Sequence, residues 1–239
     1  MPKSGATSGR SAVVLLSAGL DSTYNLLRAL EQYKVSLALT FNYGQKAAKR
    51  ELQKAKALAA QFAVPHQVVE VPWFSLFTKT SLIADQEVPS GRDVEIDSLQ
   101  RSLETAKDVW VPNRNGILLN IAAGFAEGLG ASAVIPGFNL EEAQTFPDNS
   151  AEFLKTLDES WAYSTSTNVR TVCFSTDMNK VEIVKQGMKL GVPFAKLWPC
   201  YLSGPMWCGA CESCQRYKRA LEANGLSYPE LQRESSRET

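Results

Sequence analysis

Two short stretches of this 239-residue chain concentrate side chains able to do chemistry. The first runs Leu16-Ser17-Ala18-Gly19-Leu20-Asp21-Ser22-Thr23-Tyr24-Asn25-Leu26. Gly19 lets the backbone approach a ligand, Ser17 and Ser22 offer hydroxyls, and Asp21 offers a carboxylate for magnesium, a set suited to phosphate. The stretch has no lysine, and the chain contains neither G-x-x-x-x-G-K-[ST] nor G-x-G-x-x-G. A plain strand-to-helix turn capped by Ser22 is the other reading of these residues. The second stretch holds Cys200, Cys208, Cys211 and Cys214 in the pattern C-x7-C-x2-C-x2-C. Four thiolates suit one tetrahedral zinc ion. Cys211 and Cys214, three apart at the head of a helical stretch, face one way, and Gly204 and Pro205 turn the chain to bring the other two to them. A redox Cys-x-x-Cys pair or an iron–sulfur cluster is the rival reading. The fifth cysteine, Cys173, lies in an apolar run and reads as a small core residue.

Composition narrows the classes. Lys plus Arg and Asp plus Glu balance at 25 each, so no broad basic surface for nucleic acid is expected. No apolar run reaches the roughly 18–20 residues needed to span a bilayer. The polar start, MPKSGATSGR, lacks a signal-peptide core, and a cytoplasmic location is expected. Cysteines clustered in a reducing compartment point to metal rather than disulfides. The single histidine, His66, stands at the entry to an apolar run with no serine–histidine–aspartate context around it.

The elements that must position these groups follow from periodicity. Residues 12–16, 35–41 and 66–71 read as buried strands, with amphipathic helices after Ser22 and over 45–62. This alternation predicts an α/β fold with a doubly wound, mainly parallel sheet. The polar stretch 84–108 reads as a lid or a flexible loop. A helix apolar nearly all round follows over 117–129, with Gly124 and Gly128 placed for close packing. Further strands are expected at 132–138 and 169–174. Helices are expected near 150–164 and over 179–190, the latter burying Val181, Val184 and Met188. The domain division is a main unit over 11–198 and a zinc-binding module over 199–223, with frayed termini at 1–10 and 226–239.

The turn SAGLDS resembles the S-G-G-x-D-S pyrophosphate loop of the N-type ATP pyrophosphatases, the PP-loop enzymes, with Ala18 in place of the first glycine. If that position needs a positive φ, alanine is strained there. Together with the C-terminal cysteines, the chain is similar to the 7-cyano-7-deazaguanine synthase (QueC-type) family from about Val13 to Leu221. FNYGQK at 41–46 belongs to the resemblance, as does VPNRN at 111–115, where the family has V-P-G-R-N. GFNLEEAQTFPDN at 137–149 matches a stretch running from G-x-N through a central aspartate to Y-P-D-C. Here Glu142 stands for that aspartate, Phe146 for the tyrosine and Asn149 for the cysteine, while LWPCY replaces W-S-C-Y.

The resemblance implies ATP with magnesium as co-substrate, one structural zinc, a small deazaguanine carboxylate and ammonia as reactants, and a homodimer. Residues 16–26 would hold ATP, with Asp21 on magnesium. Arg114 would grip phosphate or carboxylate beside Asn113 and Asn115. Asn139, Glu142 and Asp148 would meet the guanine-like edge, and Tyr43 either stacks on a base or fills the core. Three rivals stand: a relative adenylating another carboxyl or amide, a tRNA sulfurtransferase, and a nucleotide-binding regulator without turnover.

Overall fold

The computed structural model describes residues 9–237. The apolar run after Arg10 forms β1 (Ser11–Leu15), with Ala12, Val13 and Val14 fully buried. Both faces of this strand are covered, which is why its sequence shows no polar alternation. β2 (Lys34–Asn42), β3 (His66–Glu70), β4 (Ala133–Ile135) and β5 (Arg170–Thr171) complete one sheet in the order β3-β2-β1-β4-β5. Every pairing is parallel. β4 is shorter than the run 132–138 suggests, because Pro136 has no N–H to continue the ladder. The helices are α1 (Leu20–Gln32), α2 (Ala48–Gln61), α3 (Leu99–Val109), α4 (Arg114–Gly128), α5 (Leu140–Ala143), α6 (Ala151–Ser164), α7 (Lys180–Leu190), α8 (Glu212–Glu222) and α9 (Tyr228–Arg237). The chain leaves β1 toward β2 on one side and later returns as β4 on the other. A crevice therefore opens at the carboxyl ends of β1 and β4, the place where such sheets bind ligands.

Several expectations need correction. Gly19, not Ser22, caps α1, because the connection from β1 is only four residues long. The Ser22 hydroxyl lies inside the first turn, where it accepts the Ser17 N–H at 3.3 Å and donates to the Gly19 carbonyl at 3.2 Å. Gly124 and Gly128 pack against nothing: with Asn120 they form the exposed strip of α4, and a Cβ at either glycine would meet no atom within 4 Å. Met188 is 46 % exposed, since α7 turns Lys180, Ile183, Val184 and Gly187 inward instead. The cause is Lys180, whose ammonium is drawn into the sheet's mouth by two carboxylates.

The polar segment 84–108 is ordered by the cysteine module. Ser90 bridges to Cys211, the Gly91 N–H donates to the Ala210 carbonyl at 2.9 Å, and α3 follows. The tail is not frayed over its described part. α9 buries Tyr228 against Trp207 and Tyr217, and Gln232 Nε2 donates to the Trp207 carbonyl at 2.6 Å. Of the termini expected to fray, 1–8 and 238–239 lie outside the described residues, and the Arg10 carbonyl already accepts from Lys34.

One charged cluster fixes α8 to the crevice. Arg216 donates to Glu212 at 3.0 Å, to Glu141 at 2.9 Å and to the Ser102 hydroxyl at 3.1 Å. Arg219 joins Glu141 to Asp97. Burial pushes the Glu141 carboxyl up, but the Lys180 N–H and the two guanidinia outweigh it and hold the group below its usual range. A depressed carboxylate contributes stability that is present above its unfolded value and is lost as pH falls through the folded one. The thermal midpoint is therefore expected to fall on acidification below the normal carboxylate range. Glu141→Gln is expected to lower the unfolding free energy by about 3–5 kcal/mol at neutral pH and to flatten that acid dependence, as read by urea unfolding at several pH values. A second prediction concerns Gly137, whose added Cβ would stand 2.5 Å from Ser22 N and 2.6 Å from Ser22 Cα. Gly137→Ala is expected to cost about 1–3 kcal/mol by overpacking and to weaken nucleotide binding, measured by calorimetry with ATP.

Candidate active site

The crevice begins at the turn between β1 and α1. The Ala18 backbone is left-handed at φ 62° and its side chain is fully buried. The Trp198 N–H holds the Ala18 carbonyl at 2.9 Å. The strain foreseen for a positive φ is real, and costs about 1–2 kcal/mol in a residue with a Cβ. The turn directs the first N–H groups of α1 into the crevice, and Thr23 N is the first in the helix to find a carbonyl, that of Gly19. Unpaired amides and the positive end of the helix dipole together make an anion site. The Ser17 and Ser22 hydroxyls lie 3.2 Å apart beside it.

The missing lysine comes from elsewhere in the chain. An Asn179–Glu182 capping box starts α7 and places Lys180 at its first position. Lys180 Nζ lies 2.7 Å from Asp21 Oδ2 and 2.8 Å from Glu142 Oε1. Burial alone would lower the ammonium, but Asp21 and Glu142 more than reverse it and raise it above its ordinary value. Burial raises the Asp21 carboxyl, against the pull of Lys180. Burial also opposes ionisation of Glu142, but Lys180 and the Asn139 amide hold that carboxyl down. Asp21 Oδ1 is buried with no hydrogen-bond partner. An orphaned carboxylate oxygen beside an anion site fits a hard cation such as magnesium, held with the help of phosphate oxygens.

The opposite wall carries Arg114, at the start of α4. Burial would lower its guanidinium, but Tyr43, Asp148 and Glu142 raise it overall. Asn113 precedes it in a left-handed conformation at φ 50° and is exposed, outside the crevice lining. Asn115 is buried, and its amide donates to the Asp148 carbonyl at 3.3 Å. Tyr43 packs on Phe74 with ring centroids 5.5 Å apart while facing Arg114. It thus fills the core and lines the crevice at once. Asn139 is fully buried and caps α5 by accepting the Glu142 N–H at 3.0 Å. Burial raises the Asp148 carboxyl, and Arg114 opposes it.

Of the phosphate-loop stretch, Leu16, Ser17, Gly19, Leu20, Asp21 and Ser22 line the crevice. Ala18, Thr23, Tyr24, Asn25 and Leu26 are buried behind it. Asn25 is a tie: its amide donates to Ser175 Oγ at 2.6 Å and its carbonyl accepts the Phe174 N–H at 2.7 Å. Sequence reading missed Lys180, Trp110 and Tyr201, which also line the crevice. A cation at the first position of a helix opposes the dipole, and that anomaly was the available signal for Lys180.

The four cysteine sulfurs lie within 4.8 Å of one another, and Cys208 Sγ stands 3.9 Å from Cys214 Sγ. Zn–S bonds of about 2.3 Å in a tetrahedron place sulfurs about 3.8 Å apart, so the cluster fits zinc. The Leu202 and Cys208 N–H groups donate to Cys200 Sγ, each at 3.4 Å, and the Cys211 N–H donates to Cys208 Sγ at 3.3 Å. Such donors favour thiolate over thiol. Cys173 stands apart as a half-buried thiol, pushed up by burial and 3.6 Å from the Phe138 carbonyl.

Comparison with known proteins agrees with this geometry. The model of a family described as queuosine biosynthesis protein QueC matches residues 11–225. A 7-cyano-7-deazaguanine synthase of Bdellovibrio bacteriovorus is 56% identical over 227 residues, covering 94% of this chain and 98% of that one. The Carboxydothermus hydrogenoformans protein of the same name is 47% identical over 214 residues, covering 89% and 99%. That of Methanosarcina mazei is 42% identical over 226 residues, covering 93% and 98%. With a phosphate turn, a four-thiol cluster and near full-length similarity in one chain, this protein belongs to the QueC family of queuosine biosynthesis proteins.

Proposed function

We propose that this chain is a carbon–nitrogen ligase that converts 7-carboxy-7-deazaguanine and ammonia to 7-cyano-7-deazaguanine at the expense of ATP. The observation that carries the reading is the anion site at the head of α1, closed by Asp21 and Lys180, facing Arg114 across one crevice. A substrate carboxylate oxygen attacks the α-phosphorus of ATP and pyrophosphate leaves. Ammonia adds to the acyl adenylate and AMP departs, giving the amide. The amide oxygen attacks the α-phosphorus of a second ATP with release of pyrophosphate, and loss of AMP and protons forms the nitrile.

The protein's part is positioning and charge. The α1 amides with Ser17 and Ser22 hold the departing pyrophosphate, and a buried ammonium at Lys180 stabilises charge on the phosphates where water is excluded. Asp21 with phosphate oxygens would hold magnesium, which neutralises charge on the leaving group. Arg114 presents paired donors to the substrate carboxylate. Asp148, one of whose oxygens accepts from the Asn149 amide at 3.2 Å, is the acid that would meet the guanine-like edge, because Glu142 is engaged by Lys180. Residues 199–223, with one zinc on Cys200, Cys208, Cys211 and Cys214, serve as a structural module. A homodimer, ammonia as the nitrogen donor and a cytoplasmic location complete the proposal. No helix among the described residues is long and apolar enough to cross a membrane.

Purified protein given the deazaguanine carboxylate, ammonia and magnesium ATP is expected to release AMP and pyrophosphate with amide and then nitrile, resolved by mass spectrometry. Formation of ADP, or of neither product by zinc-loaded folded protein, would overturn the reading. Lys180→Met is expected to lower AMP formation about 100-fold or more while leaving zinc content unchanged. Turnover within a few-fold of the parent would remove Lys180 from the machinery.

A further inference from the structure

Beyond the phosphates, the crevice has a second flat surface. Trp110 closes α3, and Phe146 follows α5. Their rings are parallel to within 6° with centroids 6.0 Å apart. Both are half-buried and both line the crevice beside Arg114 and Asp148. The pair brings together two distant segments, so their alignment is a product of the tertiary fold.

Three other tryptophans have different duties. The indole of Trp198 donates to the Leu202 carbonyl at 3.0 Å and lies under the Arg50 guanidinium. The indoles of Trp161 and Trp207 also hold internal acceptors. Trp110 donates to no acceptor among the described residues, and the one ring its face meets is that of Phe146. Leu39 and Phe41 on β2 also line the crevice, and Leu39 accepts the Leu16 N–H beside the turn, which gives an apolar wall suited to adenine. Two planar reactants thus have two apolar surfaces available in one crevice.

We infer that Trp110 and Phe146 form the stacking surface for the planar bicyclic reactant, holding its ring so that its carboxylate meets Arg114 and its N–H edge meets Asp148. This deepens the synthase reading and rests on it. Base–aromatic stacking is tolerant of ring substituents and depends on the flat face, so an aliphatic side chain of similar volume does not replace it. The pair acts on the heterocycle and leaves the nucleotide's affinity alone.

The test uses Trp110→Leu and Phe146→Leu, with Trp110→Phe and Phe146→Tyr as ring-retaining controls. The measurements are KM for 7-carboxy-7-deazaguanine, KM for ATP, and calorimetric binding of 7-cyano-7-deazaguanine without ATP. Each leucine variant is expected to raise the heterocycle KM and product Kd about ten-fold and to leave the ATP KM within two-fold. The ring-retaining variants are expected to recover most of that loss. A rise confined to the ATP KM would assign the pair to adenine and overturn the inference, as would leucine variants that bind the product like the parent. Failure of the parent protein itself to turn over the carboxylate would instead sink the synthase reading, and this inference with it.

Discussion

An ammonium buried between two carboxylates is costly to assemble and costlier to break, and the crevice is arranged around one. Removing either partner strands the other charge in a low-dielectric setting. Lys180 therefore pins three elements at once: the first turn of α1 through Asp21, the short α5 through Glu142, and the head of α7 that carries it. The same geometry gives the phosphate turn its positive side chain. A P-loop supplies its lysine from the turn itself; here the turn stays small and the charge arrives through tertiary contact. That division keeps the turn itself free of a long side chain, with the ammonium beside the Asp21 carboxylate.

The cluster extends outward in a continuous chain. Glu141, next to Glu142, takes both guanidinia of α8, and α8 starts at Cys211 with Cys214 in its first turn. Metal bound by the four thiols would set the start of α8, and α8 in turn sets Glu141 and the segment that carries Glu142. The module over 199–223 is thus joined to the crevice by charge as well as by packing, since Cys200, Cys211, Cys214 and Tyr217 belong to the main buried core. The polar strap 84–108 is held by the same helix through Asp97 and Ser102, and it delivers Trp110 at the end of α3.

What could be read from the sequence was whatever local chemistry decides. The β1–turn–α1 unit and the sheet are written in apolar runs and glycine, and the cysteine cluster in its spacing. Lys180 could not be read this way, because its partner Asp21 lies 159 positions earlier and only the α1–α7 packing brings them together. The order of 84–108 and of α9 likewise depends on distant acceptors, Ala210 for one and Trp207 for the other. Polar composition predicts mobility only where such partners are lacking. Gly124 and Gly128 erred the other way: a small residue at helical spacing marks close approach only if another surface is there, as it is for Gly137 against the first turn of α1.

Two left-handed residues, Ala18 in the turn behind the crevice and Asn113 outside its lining, show how substitutions at such positions are absorbed. Asn113 stands where the family pattern has glycine, and asparagine is among the side chains that tolerate φ near +50°. Alanine at 18 has no such allowance. Changing it to glycine would relieve the strain but expose no new space, and would surrender a fully buried methyl worth about 0.8 kcal/mol along with some restriction of the unfolded chain. These opposing contributions nearly cancel, so alanine is sustainable here only because the Trp198 N–H and the surrounding core hold the turn in place. The turn's geometry is therefore set from outside, by the segment leading into Cys200.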